Sequence, residues 1–277
     1  MKNILVPIDF SEYSEYALET AAILARKCNA KILALHMLEL PNVVLTSSRD
    51  SQQLETIFFL KLAEKKFKEL INKDFLKDVG ITPIIKHFKV FSEVNEVAKE
   101  QNVDFIVMGS HGASGVKEFF IGSNTEKVVR HSDIPVLVVK HNPVLLDFEN
   151  VVFACDFSEE AIKPYMDASK LFKGLNTKVH LAYVNLPDER FRSSTEMEKN
   201  VANFFKTAEG NHNKMGDVTY INDYTIEQGI LNFSNVIGAD LVAIATHGRT
   251  GLAHFFEGSI SEDIVNHSTL PVMTFKI

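Results

Sequence analysis

Residues 107–129, "VMGSHGASGVKEFFIGSNTEKVV", place Gly109, Gly112 and Gly122 between an apolar run and a helix start. Glycine lets the backbone take positive φ, or lets a ligand approach where a Cβ would stand. Gly122 and Ser123 then open a helix whose free N–H groups and dipole favour an anion. The Ser123 and Asn124 side chains can hydrogen-bond phosphate oxygens, and Lys117, Lys127 and Arg130 add positive charge nearby. A hundred residues earlier, "PIDFS" ends another apolar run on Asp9. A carboxylate does not bind phosphate; it accepts from a base amino group or a ribose hydroxyl. Together the two stretches describe a nucleoside phosphate with its base near Asp9 and its phosphates on the glycine loop. Two plainer readings stand beside this one: the loop as a tight turn, and Asp9 as a cap for the helix that follows.

Both stretches occur twice. "NILVPIDFSE" (3–12) aligns with "NVVFACDFSE" (150–159) at an offset of 147 residues, and "RHSDIPVLVV" (130–139) with "NHSTLPVMTF" (266–275) at 136. The chain is therefore a tandem repeat of one domain, with about eleven residues lost inside the second copy. The boundaries fall at 1–142 and 150–277, with 143–149 as a linker. In the second copy Asp156, Gly248, Gly258 and Ser259 keep their places, but Ala245 stands where the first has Gly109 and Ala154 where it has Pro7.

To position these residues, each copy offers short aliphatic runs such as "NILVPI", "KILALHML" and "PVLVV", the pattern of strands buried on both faces. Helical patterns alternate with them. One starts from Ser11 as N-cap; another carries Leu54, Ile57, Phe58, Ala63, Phe67, Leu70 and Ile71 at helical spacing. The second helix is shorter in the second copy, which places the deletion there. The fold class is α/β, with a doubly wound domain of five parallel strands per copy. In such a sheet a ligand sits beyond the strands' carboxyl ends, where Asp9 and the glycine loop both fall.

Composition narrows the alternatives. At 277 residues the chain suits two domains, and no apolar run reaches a membrane span. The start lacks the pattern of a signal peptide, and two cysteines give no disulfide framework, so a cytoplasmic location is expected. The net charge of −7 argues against nucleic acid or an anionic membrane as partner. Residues 1–142 carry 18 basic and 18 acidic side chains and 147–277 carry 11 and 18, so an anion meets less repulsion in the first domain. His111 and His247, like His131 and His267, recur at matching positions without metal-ligand spacing, and no metal site is expected from them. Cys155 reads as a buried, inert thiol. Phe119–Phe120 and Phe255–Phe256 read as core or interface residues.

These residues resemble the universal stress protein family. Its ATP-binding members carry G-x2-G-x9-G-[ST] after the fourth strand, which Gly109, Gly112, Gly122 and Ser123 match. "ILVPIDFS", with Pro7 and Asp9, resembles the first strand and its adenine-side aspartate; "LALHM" resembles the second, whose end contacts adenine at the position of Met37. The resemblance spans both copies and implies a strand order of 3-2-1-4-5 in each. It also implies pairing of the two last strands into a pseudo-twofold internal dimer. The expected cofactor is ATP, with Mg²⁺ or Mn²⁺, bound mainly in the first domain and weakly or not at all in the second. No obvious base marks the chain as an efficient enzyme, so any ATP hydrolysis is expected to be slow. The function implied is nucleotide-responsive regulation through an unidentified protein partner, with a further homodimer left open. A nucleotide-free scaffold is the alternative.

Overall fold

Capping and strand-end chemistry set the elements of the first copy. Ser11 caps the first helix by accepting from Ser14 N, and Asn29, in the left-handed region at φ 51°, ends it with its N–H on Ala25 O. The computed structural model describes residues 1–38, 49–86, 92–112, 121–143, 147–246 and 259–277, with the backbone alone at 49–52, 92 and 259–262. The first copy runs β1 (Asn3–Pro7), α1 (Glu12–Cys28), β2 (Lys31–Met37), α2 (Arg49–Ile71), β3 (Ile81–Lys86), α3 (Ser92–Glu100), β4 (Phe105–Gly109), α4 (Ser123–His131) and β5 (Val136–Val139). The second runs β6 (Asn150–Ala154), α5 (Ile162–Gly174), β7 (Lys178–Asn185), α6 (Ser194–Glu209), β8 (Val218–Asn222), α7 (Ile226–Ile237), β9 (Leu241–Thr246), α8 (Ser259–His267) and β10 (Val272–Lys276).

One ten-stranded sheet holds both copies, in the order β3-β2-β1-β4-β5-β10-β9-β6-β7-β8. Each half is parallel and reads 3-2-1-4-5. The halves join where β5 and β10 pair antiparallel, Leu137 opposite Met273. Neighbouring β1 and β4 pair Ile4 with Phe105 and Leu5 with Ile106, so Asp9 and the glycine loop leave adjacent strand ends. Each copy also ties the start of its first strand to its fourth. Asp104 Oδ2 accepts from Lys2 N and Asn3 N, and Asp240 Oδ2 accepts from Glu149 N and Asn150 N.

Two apolar layers cover the sheet, each continuous across both halves. One packs α1, α2, α5 and α6 against one face, and the other packs α3, α4, α7 and α8 on the opposite face. Phe148, in the expected linker, is buried in the first layer at φ 50°, so the connection is part of the core as well as a spacer.

The second helix of each copy differs from the sequence pattern in a specific way. α2 has 23 residues and α6 has 16, so the second copy's shorter helix is where expected. Ala63, Phe67 and Leu70 of α2 are buried, but Leu54 is 70% and Phe58 62% exposed. Those two lie on the side of the helix opposite Phe67, which places the first part of the apolar pattern in solvent.

Candidate functional site

The crevice of the first domain is built by close approaches at its glycines. Asp9, just beyond β1, spends one carboxylate oxygen locally: Oδ1 accepts from Ser11 N at 3.0 Å and from Ser11 Oγ at 2.5 Å. This differs from the capping role read as an alternative from sequence: Ser11 caps the helix, and Asp9 makes the Asx turn that holds Ser11 in place. Its second oxygen lies against the loop, because a Cβ added to Gly112 would stand 2.8 Å from Asp9 Oδ2. Asp9 and Gly112, a hundred residues apart, therefore share one site.

Gly122 completes the contact from the other side. Its N–H donates to Ser110 O at 2.7 Å, and an added Cβ would come within 3.4 Å of that oxygen and 3.5 Å of His111 Cα. Thr125 Oγ1 donates to Gly109 O at 2.8 Å and fixes α4 on the end of β4. Gly122 caps α4 without a side-chain hydrogen bond, and Ser123 and Asn124 are exposed at its first turn. The arrangement is a helix N-terminus facing a glycine loop, the geometry that accepts an anion.

Pro7 and Met37 sit at the same end of the sheet. Pro7 pairs with Leu35, so His36 and Met37 of β2 extend beyond the last paired residue of β1. Met37 is half-buried at the end of β2. His36 Nδ1 bonds Ile8 O at 2.7 Å and holds the turn between β1 and α1.

Gly109 has a packing reason to be glycine that the sequence did not show. Its φ is not positive, and an added Cβ would fall 2.6 Å from both the carbonyl carbon and oxygen of Tyr13. The glycine admits the first turn of α1 against β4, so a structural approach accounts for it. Arg130 also departs from expectation: it lies in the last turn of α4 and pairs with Glu126 at 2.8 Å. Seven residues of helix separate it from Ser123, roughly 10 Å of rise, so its charge serves the far end. Lys117 and the Phe119–Phe120 pair lie outside the described residues, as do Gly248, Gly258, Arg249, His247 and Phe255–Phe256.

Sequence reasoning missed Phe10 and Phe157, both left-handed at φ 63° and 55° directly after the two aspartates. A bulky residue there is an outlier held by its surroundings. Phe10 packs on His36 and Phe67, and Phe157 on Phe204 and Tyr183. The recurrence of Asp-Phe-Ser in both copies was the available signal. His111, singled out in the sequence by its recurrence as His247, bonds Ser110 Oγ through Nδ1 at 2.9 Å, and its buried Nε2 has no hydrogen-bond partner among the described residues.

A family model described as the universal stress protein family matches residues 1–140 and again residues 147–276. The chain belongs to the universal stress protein family. A universal stress protein of Methanocaldococcus jannaschii is 33% identical over 153 residues, covering 50% of this chain and 94% of its own length. A putative universal stress protein of Staphylococcus aureus is 28% identical over 165 residues, covering 57% of this chain and 96% of its own. Each aligns nearly all of itself to about half of this chain, as a duplicated unit requires. The solved universal stress protein of Archaeoglobus fulgidus matches both halves, at a TM-score of 0.70 and 26% identity, over 99% of this chain and 98% of its own.

The second universal stress domain repeats the strand-end aspartate but changes its surroundings. Asp156 Oδ1 accepts from Ser158 N at 3.0 Å. α5 begins at Ile162, whereas the 147-residue offset from Glu12 would start it at Glu159; instead Ser158 O and Glu159 O receive Ala161 N and Ile162 N in a tight turn. The counterpart of Tyr13, Glu160, thus precedes the helix. That retreat coincides with Ala245, 3% exposed, at the position where a Cβ would strike Tyr13 in the first domain. Cys155 is buried, and burial, reinforced by Asp156, pushes its thiol well above the ordinary range, as expected of an inert cysteine. Beside Asp156 opens a cleft of about 490 Å³. Among the described residues no group of three or more His, Cys, Asp or Glu converges on a metal position, and no helix is long and apolar enough to cross a membrane.

Proposed function

We propose that this universal stress protein binds ATP in its first domain and acts as a nucleotide-responsive regulator. The observation that carries this reading is the contact of Asp9 Oδ2 with Gly112 beside the uncapped start of α4. It joins an acceptor for a base or ribose donor to an anion cradle in one crevice. Pro7 and Met37 border the base end; Gly112, Gly122, Ser123 and Asn124 form the phosphate end. Gly109 supports the site from behind by admitting α1. A Mg²⁺ or Mn²⁺ ion would arrive on the phosphates, with Ser123 and Asn124 as oxygen donors at that end. Neither Ser123 nor Asn124 at the phosphate end is a base able to activate water, so hydrolysis is slow and binding itself is the signal.

Titration of the intact chain with a fluorescent ATP analogue tests the reading. Saturable binding is expected, weakened at least about tenfold in Gly112→Val, whose branched side chain would displace the Asp9 carboxylate. Absence of saturable binding into the millimolar range leaves the nucleotide-free scaffold as the function of the fold.

A further inference from the structure

The cleft beside Asp156 has a wall with no counterpart in the first domain's sequence. The loop between β7 and α6 carries Arg190 and Arg192, whereas the matching stretch 39–48 contains no Lys or Arg. Asn185, only 5% exposed, clamps this loop. Its Oδ1 accepts from Arg192 N at 3.0 Å, while its Nδ2 donates to Arg192 O at 3.2 Å and Asn222 Oδ1 at 3.1 Å. Leu38 is the buried residue at the corresponding place in the first copy. A buried amide is costly unless its bonds are made, and here they are made to the loop that holds the arginines.

Both arginines line the cleft, and the Arg192 guanidinium donates to Phe191 O at 3.2 Å through one of its nitrogens. Asp156, Glu159 and Tyr183 line it too. Burial pushes the Tyr183 hydroxyl upward; Asn200 opposes this through a hydrogen bond, and Asp156 and Arg192 act on it with opposite signs. Asp156, Tyr183, Arg192 and Asn200 all line the cleft. The volume, about 490 Å³, is that of a small-molecule site.

We propose that this cleft binds a small aromatic or heteroaromatic ligand bearing one phosphate or carboxylate, its anion held by Arg190 and Arg192 and a donor group facing Asp156. β7 and β9 flank β6 on opposite sides. The anion therefore lies across β6 from the helix that follows the second glycine loop. The duplicated fold thus carries a second site keyed to a different part of its ligand, and this does not depend on ATP binding in the first domain.

The test uses the full chain with Gly112→Val, so that the first crevice is blocked. Calorimetric titrations compare AMP with adenosine and benzoate with benzamide. At least one anion is expected to bind saturably, with its neutral counterpart about tenfold weaker or more. Binding of AMP alone assigns a nucleoside monophosphate; binding of benzoate alone assigns an aromatic carboxylate. Arg190→Ala with Arg192→Ala is expected to lower that affinity at least about tenfold with an unchanged melting temperature. Asn185→Leu is expected to lower it by releasing the loop. The proposal is overturned if neither anion binds into the millimolar range, or if the folded double arginine variant binds as tightly as its parent. Unblocked chain that binds ATP while these titrations fail separates this failure from that of the first site.

Discussion

At the scale of single residues, the two positions that differ most tellingly between the copies are Gly109 and Ala245. The first glycine is required by the backbone of Tyr13, 2.6 Å from where its Cβ would be. Gly109→Ala should therefore destabilise the fold by about 1–3 kcal/mol through overpacking. The reverse change, Ala245→Gly, should cost about 1 kcal/mol or less. Urea midpoints of the two variants check this, and equal losses would refute the packing account. Alignment made Ala245 visible, but alignment could not give its reason: the backbone of α1 reaches β4 only in three dimensions. The same holds for Asp9, whose Oδ1 accepts from Ser11 while Oδ2 lies against Gly112, a hundred residues away.

Among the elements, α2 shows how helical spacing can group residues that face opposite ways. Leu54, Ile57, Phe58, Ala63, Phe67 and Leu70 fit one amphipathic pattern loosely, yet only the later members reach the core. Phe67→Ala is expected to cost about 3–5 kcal/mol, as large core truncations do. Phe58→Glu is expected to shift the melting temperature little, within about ±0.5 kcal/mol of stability. Calorimetric melting of the two variants separates them. The caps were more legible: Ser11 before Glu12 and Ser193 before Glu196 both begin helices as their residue types dictate. The shorter start of α5 was hidden, because "DFSEE" follows β6 much as "DFSEY" follows β1.

At the scale of the whole molecule, two lysines at matching positions after β5 and within β10 clasp the halves. Lys140 Nζ donates to Asn266 O at 2.5 Å and Ser268 O at 2.8 Å, and Lys276 Nζ to Asp133 Oδ1 at 3.0 Å. Burial pulls Lys140 down to about 8 from 10.5. Its folded state thus binds fewer protons than the unfolded chain across that interval, so stability should rise from about pH 8 to 10.5. Lys140→Met should flatten that rise in denaturant titrations at stepped pH. Asp133 behaves oppositely: hydrogen bonds from Lys99 and then Lys276 hold it at about 2, below 3.8. Its stabilisation is present above pH 3.8 and is lost as pH falls toward 2, a loss that Asp133→Asn should remove. The sequence by itself determined the duplication, the alternation of strand and helix, and the pair of stretches that meet in the first crevice, because periodicity, capping chemistry and repeated motifs are local along the chain. Only the tertiary structure decided why Gly109 is glycine, which oxygen of Asp9 faces the loop, and that Asn185 holds the Arg192 backbone beside the second cleft. Each of those depends on an approach of a few ångströms between segments far apart in sequence, and such distances are set by packing across the sheet.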